Sequence, residues 1–156
     1  MAKGVPGLKG VAAKQVEQAT VQATTDERKA FGLGGVVGAA PVNEEPIYVV
    51  LKYYDPGHEC FSAWTKDELA EFSSFIGKLR GQTWGNVANG LRPKPCDPKL
   101  AKNGAKDRLE RVHGLLSKDI QFIELRVSKR ARVHGFRLKS AFFLVLLDRE
   151  HQTFPE

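Results

Sequence analysis

Cysteine and long apolar runs are scarce in this chain, and their scarcity excludes several classes of protein. Two cysteines, Cys60 and Cys96, among 156 residues are too few for a disulfide scaffold and favour a reducing compartment. No apolar run approaches the roughly 18 residues that a membrane-spanning helix needs. The N-terminus also lacks the apolar core of a signal peptide. We therefore expect a cytoplasmic protein that does not interact with a membrane.

The candidate metal ligands are few and poorly spaced for a metal site. Structural zinc sites usually draw their ligands from closely spaced pairs. His58 and Cys60 are separated by only one residue, which is not the spacing of such a pair. Cys96 and His113 each stand alone in the sequence. The sequence therefore predicts no metal site and indicates no cofactor.

Positive charge is concentrated in the last third of the chain. The whole chain has 24 Lys and Arg against 18 Asp and Glu, a net charge of +6. Residues 99–156 contain thirteen of these cations and seven of the anions, which is also +6. Neutralisation of phosphates by Lys and Arg supplies most of the sequence-independent affinity for nucleic acids. The charge distribution therefore predicts nucleic acid, or less specifically any acidic molecule, as a partner, and a solvated basic surface without a ligand is the alternative.

The first 45 residues differ in composition from the rest of the chain. Phe31 is their only aromatic residue, and Gly and Pro interrupt any regular element. This composition predicts a flexible N-terminal arm over residues 1–45, or a segment that folds onto a partner. The folded domain is predicted to occupy residues 46–156.

One strand and two helices are predicted in the first half of the domain. Residues 47–54 have the branched and aromatic composition of a strand. Thr65 and Glu68 have the spacing of a capping box, which begins a helix that continues to about residue 80. Residues 81–106 are rich in Gly and Pro and are predicted as a long basic loop or a broken helix. Another helix is expected over about residues 106–116.

Three strand-like runs end the chain, at residues 120–127, 132–138 and 141–147, and short turns separate them. Alternation places Arg132 and His134 on the same face of the second run. The third run is continuously apolar, as expected of a central strand that is buried on both faces. The sequence therefore predicts an α+β domain with an antiparallel sheet and helices packed on one face.

This order of elements resembles the RelE/ParE superfamily of small bacterial toxins from about Tyr48 to Phe154. In that superfamily a strand and one or two helices precede a hairpin-linked sheet, which ends near a histidine or tyrosine. The positions of this chain that match the pattern are Arg126 in the basic strand, Arg132 after the turn, Arg137 at the following basic position, His151 as the terminal histidine and Phe154 as the nearby aromatic residue.

The resemblance implies a metal-independent endoribonuclease that acts on RNA, in particular on ribosome-associated mRNA, with an antitoxin protein as a partner. It implies His151 as a catalytic acid or base and Arg132 as the group that stabilises the phosphorane. Glu124 is expected to act as a base or to pair with Arg126. The predicted nucleic-acid-binding residues are Arg126, Lys129, Arg130, Arg137, Lys139 and Arg149.

Two other functions are compatible with the same residues. One is a non-catalytic nucleic-acid-binding or phage-associated accessory protein that uses the basic sheet. The other is a ParE-like inhibitor of a protein target. Convergence of His151 and Arg132 on one concave face distinguishes the enzyme from the binding protein.

Deletion of residues 1–40 is expected to leave the domain folded, because this segment offers little aromatic or branched apolar area to a core. Thermal unfolding of the full-length and truncated chains checks this expectation. The truncated chain should keep a cooperative transition, and loss of cooperativity would show that the segment is a structural element.

Overall fold

Five strands form one sheet within residues 42–155, the part of the chain that the computed structural model describes. They are β1 (Tyr48–Val50), β2 (Lys94–Cys96), β3 (Phe122–Arg126), β4 (Arg132–Leu138) and β5 (Ala141–Asp148). Their order across the sheet is β1-β5-β4-β3-β2. The three predicted C-terminal strands are thereby confirmed, and every residue of β5 except Phe143 is buried. The predicted N-terminal arm lies outside the described residues, apart from residues 42–45.

The sheet is mixed, so the prediction of an antiparallel sheet is wrong. Tyr48 of β1 pairs with Ala141 of β5 in parallel orientation, whereas the other three strand pairings are antiparallel. A parallel pair needs a long crossover connection, and residues 51–140 supply it. The sequence did not reveal this pairing because a three-residue strand carries no orientation signal. The strand is also shorter than predicted, since Tyr54 donates a backbone hydrogen bond to Leu51 in a turn.

Three α-helices accompany the sheet in the described part of the chain: α1 (Lys66–Arg80), the one-turn α2 (Ala88–Leu91) and α3 (Ala105–His113). The predicted capping box at α1 is confirmed, because Thr65 Oγ1 accepts from the Glu68 amide and the Glu68 side chain accepts from the Thr65 amide. The segment predicted as a loop or broken helix contains α2 and also β2, despite the proline at the centre of that strand. An edge position tolerates this proline. None of the helices in residues 42–155 has the length and apolar character needed to cross a bilayer.

The two longer helices cover opposite faces of the sheet, so the prediction that helices pack on one face is wrong. Phe75 of α1 belongs to a buried cluster with Val133 of β4. Leu109 of α3 belongs to a second cluster with Phe136 of the same strand. Residues three apart in a strand point to opposite sides. We call these sides the α1 face and the α3 face.

A β-bulge beside Gly135 brings two backbones into close contact. The register of β4 with β5 shifts between His134 and Gly135, and Val145 is the extra residue of β5. A Cβ atom at Gly135 would lie 1.9 Å from the carbonyl oxygen of Phe143. Because the extra residue is on β5, β4 itself keeps strict alternation. Residues 132, 134 and 136 therefore lie on the α3 face.

The substitution Gly135→Ala is expected to destabilise the domain by about 3 kcal/mol or more, because the added methyl group can be accommodated only by moving the backbone of β5. Gly77→Ala is the matched control. Gly77 lies in α1 with no atom within 4 Å of an added Cβ, so alanine should stabilise there by about 0.5–1 kcal/mol. Denaturant unfolding measures both changes, and equal stability of the two variants would contradict the prediction.

Candidate functional site

Five ionisable side chains meet on the α3 face, where β3 and β5 end and β4 begins. The register pairs Glu124 of β3 with His134 of β4, and Arg132 of β4 with Asp148 of β5. Directly paired residues in an antiparallel ladder point to the same side. His151, which follows β5, completes the group. We call these five residues the ionisable cluster.

Glu124 lies at the centre of the ionisable cluster and is only 5% exposed. Its Oε1 is 3.4 Å from Nε of Arg132. Its Oε2 is 3.4 Å from Nε2 of His151 and 3.8 Å from Nδ1 of His134. A buried carboxylate needs such partners, since an isolated charge is costly to bury. Glu124 therefore links an arginine and two histidines.

Asp148 and His134 form the most deeply buried pair of the cluster. Nε2 of His134 lies 3.0 Å from Oδ2 of Asp148, and the backbone amides of Gln152 and Thr153 donate to the same carboxylate. Burial acts to raise the pKa of Asp148, but these hydrogen bonds and the charge of His134 outweigh it and lower the pKa to about 2. The ring of Phe154 packs on His134 with a centroid distance of 5.1 Å. Asp148 is thus an anionic anchor at neutral pH.

His151 reaches the cluster because the chain turns sharply after β5. The Asp148 side chain accepts from the Gln152 amide and closes this turn, and His151 itself adopts a left-handed backbone with φ of 54°. Its Nε2 atom is buried and faces Glu124. His58, in the loop after β1, interacts electrostatically with Asp148 and His134, and burial lowers its pKa. His58 is therefore a third histidine whose charge state is influenced by Asp148.

The predicted catalytic residues do converge. Glu124 contacts both Arg132 and His151, so the three side chains meet at the Glu124 carboxylate. Glu124 pairs with Arg132 and not with Arg126, whose Nε donates to the carbonyl of Ser128. Arg132 also donates from Nη1 to that carbonyl. The two arginines therefore hold the β3–β4 turn in place.

Two predicted binding residues lie away from the cluster. Arg137 and Lys139 are at the far end of β4 and in the next turn, and strict alternation puts Arg137 on the α1 face. Its guanidinium lies 5.1 Å from the Trp84 ring, and its Nε donates to the Lys139 carbonyl. Arg137 thus lies on the opposite face from Arg132 and five residues further along β4, because the bulge is on β5 and leaves the alternation of β4 unchanged.

The remaining predicted cations are near the cluster but differ in their contacts. Lys129 is exposed in the β3–β4 turn. Arg130 in the same turn forms an ion pair with Glu150. Arg149 donates to the Ala63 carbonyl at 2.6 Å and lies 3.8 Å from Glu68 at the start of α1. Arg149 therefore ties the end of β5 to α1.

His134 and Asp148 are members of the cluster that the sequence did not identify as functional. The alternation that puts His134 beside Arg132 was visible in the sequence. The pairing of Asp148 with Arg132 was not, because it depends on the bulge and on the hairpin register. Their assignment required the tertiary structure.

No group of three or more His, Cys, Asp or Glu side chains in the described range 42–155 has an arrangement that could hold a metal ion. Comparison with known proteins adds no assignment: no family model, curated protein or solved structure matches the chain. The geometry of the cluster is therefore the basis for proposing a function.

Protonation of Asp148 is expected to destabilise the fold in acid. Its folded pKa of about 2 lies below the ordinary 3.8, so the folded state binds fewer protons than the unfolded state. The stabilisation is fully present above pH 3.8 and is lost as the pH falls to about 2. Its size is about 2 kcal/mol. Denaturant unfolding from about pH 5 downward should show this loss in the wild type and not in Asp148→Asn.

Asp67→Asn is the control for that measurement, because Asp67 is exposed in the first turn of α1. The control should keep the pH dependence of the wild type. If Asp148→Asn and the wild type lost the same free energy of unfolding over this pH range, Asp148 would not be the anchor described above.

Proposed function

We propose that this chain is a metal-independent endoribonuclease whose catalytic residues are Glu124, Arg132 and His151. Its proposed substrate is ribosome-associated mRNA. The observation that carries the proposal is the position of Glu124, whose carboxylate lies 3.4 Å from both the Arg132 guanidinium and the His151 imidazole. A base, a cation and a second proton-transfer group thus lie within reach of one another. Membership of the RelE/ParE superfamily, an antitoxin partner and a cytoplasmic location belong to this proposal and rest on the sequence alone.

The three side chains suffice for internal cleavage of an RNA strand. Glu124 takes the proton of a 2′-hydroxyl, and the resulting oxygen attacks the adjacent phosphorus. His151 donates a proton to the leaving 5′-oxygen as the phosphorus–oxygen bond breaks, which yields a cyclic phosphate and a free 5′-hydroxyl. Arg132 stabilises the negative charge of the phosphorane through its guanidinium.

Access to the site is limited but present. The side chains of Arg132 and His151 are 14% and 18% exposed, and Glu124 also lines a surface depression. Lys129 and Arg130 in the adjacent turn are exposed and can meet neighbouring phosphates of the strand. The exposed turn between β3 and β4 therefore supplies cations next to Arg132 in the sequence.

One observation favours a second function, non-catalytic binding of RNA. Nε2 of His151 is buried against Glu124 and does not face solvent. An ion pair that only stabilises the turn after β5 would have the same geometry. In that case the exposed cations would bind RNA without cleaving it.

Cleavage of labelled RNA, with and without translating ribosomes and in the presence of a chelator, tests the proposal. We expect the wild type to cleave and His151→Gln and Glu124→Gln to be slower by about 10² to 10⁴, because neither amide transfers a proton at neutral pH. Arg132→Ala should be slower by about 10² to 10³.

Arg80→Ala is the matched control, since Arg80 is exposed at the end of α1 and outside the ionisable cluster. It should cleave at the wild-type rate. Thermal unfolding of each variant establishes that it is folded, and RNA affinity is measured separately. Binding that weakens with salt, without cleavage by the wild type, would reject the enzyme and favour the non-catalytic function.

A further inference from the structure

A depression of about 370 Å³ lies beside Glu124 on the α3 face. It is bounded by β2, by the segment that follows β2 and by the C-terminal residues Phe154 and Pro155. Its volume is at the lower end of the range for small-molecule sites. We call it the β2 depression. Its position next to the central carboxylate of the ionisable cluster makes it the natural place for the part of a substrate that flanks the reacting bond.

The apolar walls of the β2 depression suit a flat ring. Phe154 lines it, and the contact of this ring with His134 holds the ring in place. Leu100 also lines it and is 70% exposed, so its apolar surface is open to a ligand. Cys96 contributes a neutral thiol, because burial and the nearby Glu124 charge raise its pKa to about 12. Unstacked nucleobases commonly bind against aromatic and apolar side chains of this kind.

Charged side chains of both signs also line the depression. Asp97 uses Oδ1 to accept from the Lys99 amide, which fixes the orientation of its carboxylate. Lys94 of β2 and Lys102, which follows the short helix Pro98–Leu100, also line the depression. A carboxylate accepts from the ring and amino nitrogens of a base, as Asp and Glu do with the amino group of cytosine. Lysine ammonium groups bind phosphate.

We propose that the β2 depression binds one unstacked nucleobase of single-stranded RNA, with Phe154 against its face, Asp97 accepting from its amino group and Lys102 on its phosphate. This inference rests on the proposed function and adds to it a preference for bases that carry an amino group. Cytosine and adenine therefore bind better than uracil. The site selects the nucleotide, while the ionisable cluster performs the cleavage.

Titration of the full chain with CMP, AMP and UMP, followed by the NMR shifts of the Cys96 and Phe154 amides, tests the inference without requiring cleavage. We expect CMP and AMP to bind about 10-fold more tightly than UMP. Asp97→Asn keeps the cap of the short helix, because Asn caps as well as Asp, and it should reduce that preference. Lys102→Gln should weaken binding of all three nucleotides. Lys78→Gln, an exposed change on α1, is the control and should bind as the wild type does.

The outcomes separate this inference from the proposed function. Absence of nucleotide binding, or equal affinity of wild type and Lys102→Gln, overturns the nucleobase site even if the chain cleaves RNA. Inorganic phosphate that binds as tightly as CMP at the same amides also overturns it, because the depression would then be an anion site only. Nucleotide binding with the expected preference in a chain that cleaves no RNA supports the site and rejects only the enzyme.

Discussion

The hydrogen bond between Nε2 of His134 and Oδ2 of Asp148 is the interaction on which the arrangement of the α3 face depends. Neither group could be buried without a partner at an acceptable cost, because a buried polar group needs a hydrogen bond and a buried carboxylate needs a compensating partner. Together they allow the central residues of β4, Val133 to Phe136, and nearly all of β5 to be buried. The same carboxylate also accepts from the Gln152 and Thr153 amides, so it determines the path of the chain after β5.

That path explains why His151 and Phe154 lie where they do. Turning the chain over the end of the sheet puts the His151 imidazole beside Glu124 and the Phe154 ring against His134. The backbone carbonyl of Thr153 accepts from the Lys102 amide, and that of Gln152 accepts from the Asn103 side chain. Gln152 and Thr153 are therefore held through both their amides and their carbonyls, and Phe154 and Pro155, which follow them, line the β2 depression.

Several arginines of this basic chain make contacts within the molecule, which the composition alone does not show. Arg126 and Arg132 hold the β3–β4 turn through the Ser128 carbonyl. Arg149 ties β5 to the capping box of α1, and Arg137 lies over the Trp84 ring. A count of charges cannot distinguish an arginine that anchors a turn from one that faces solvent. The residues most accessible to a polyanion are therefore fewer than the net charge implies.

The sequence by itself determined the elements that depend on local chemistry. The capping box at Thr65, the amphipathic stripe of α1 and the three C-terminal strands follow from side-chain preferences and periodicity, which act over a few residues. The same alternation placed Arg132 and His134 on one face. Only the tertiary structure decided the parallel pairing of β1 with β5, the placement of the helices on opposite faces and the position of the bulge. These features depend on contacts between residues far apart in the chain, and so does the meeting of Asp148, His134 and Glu124.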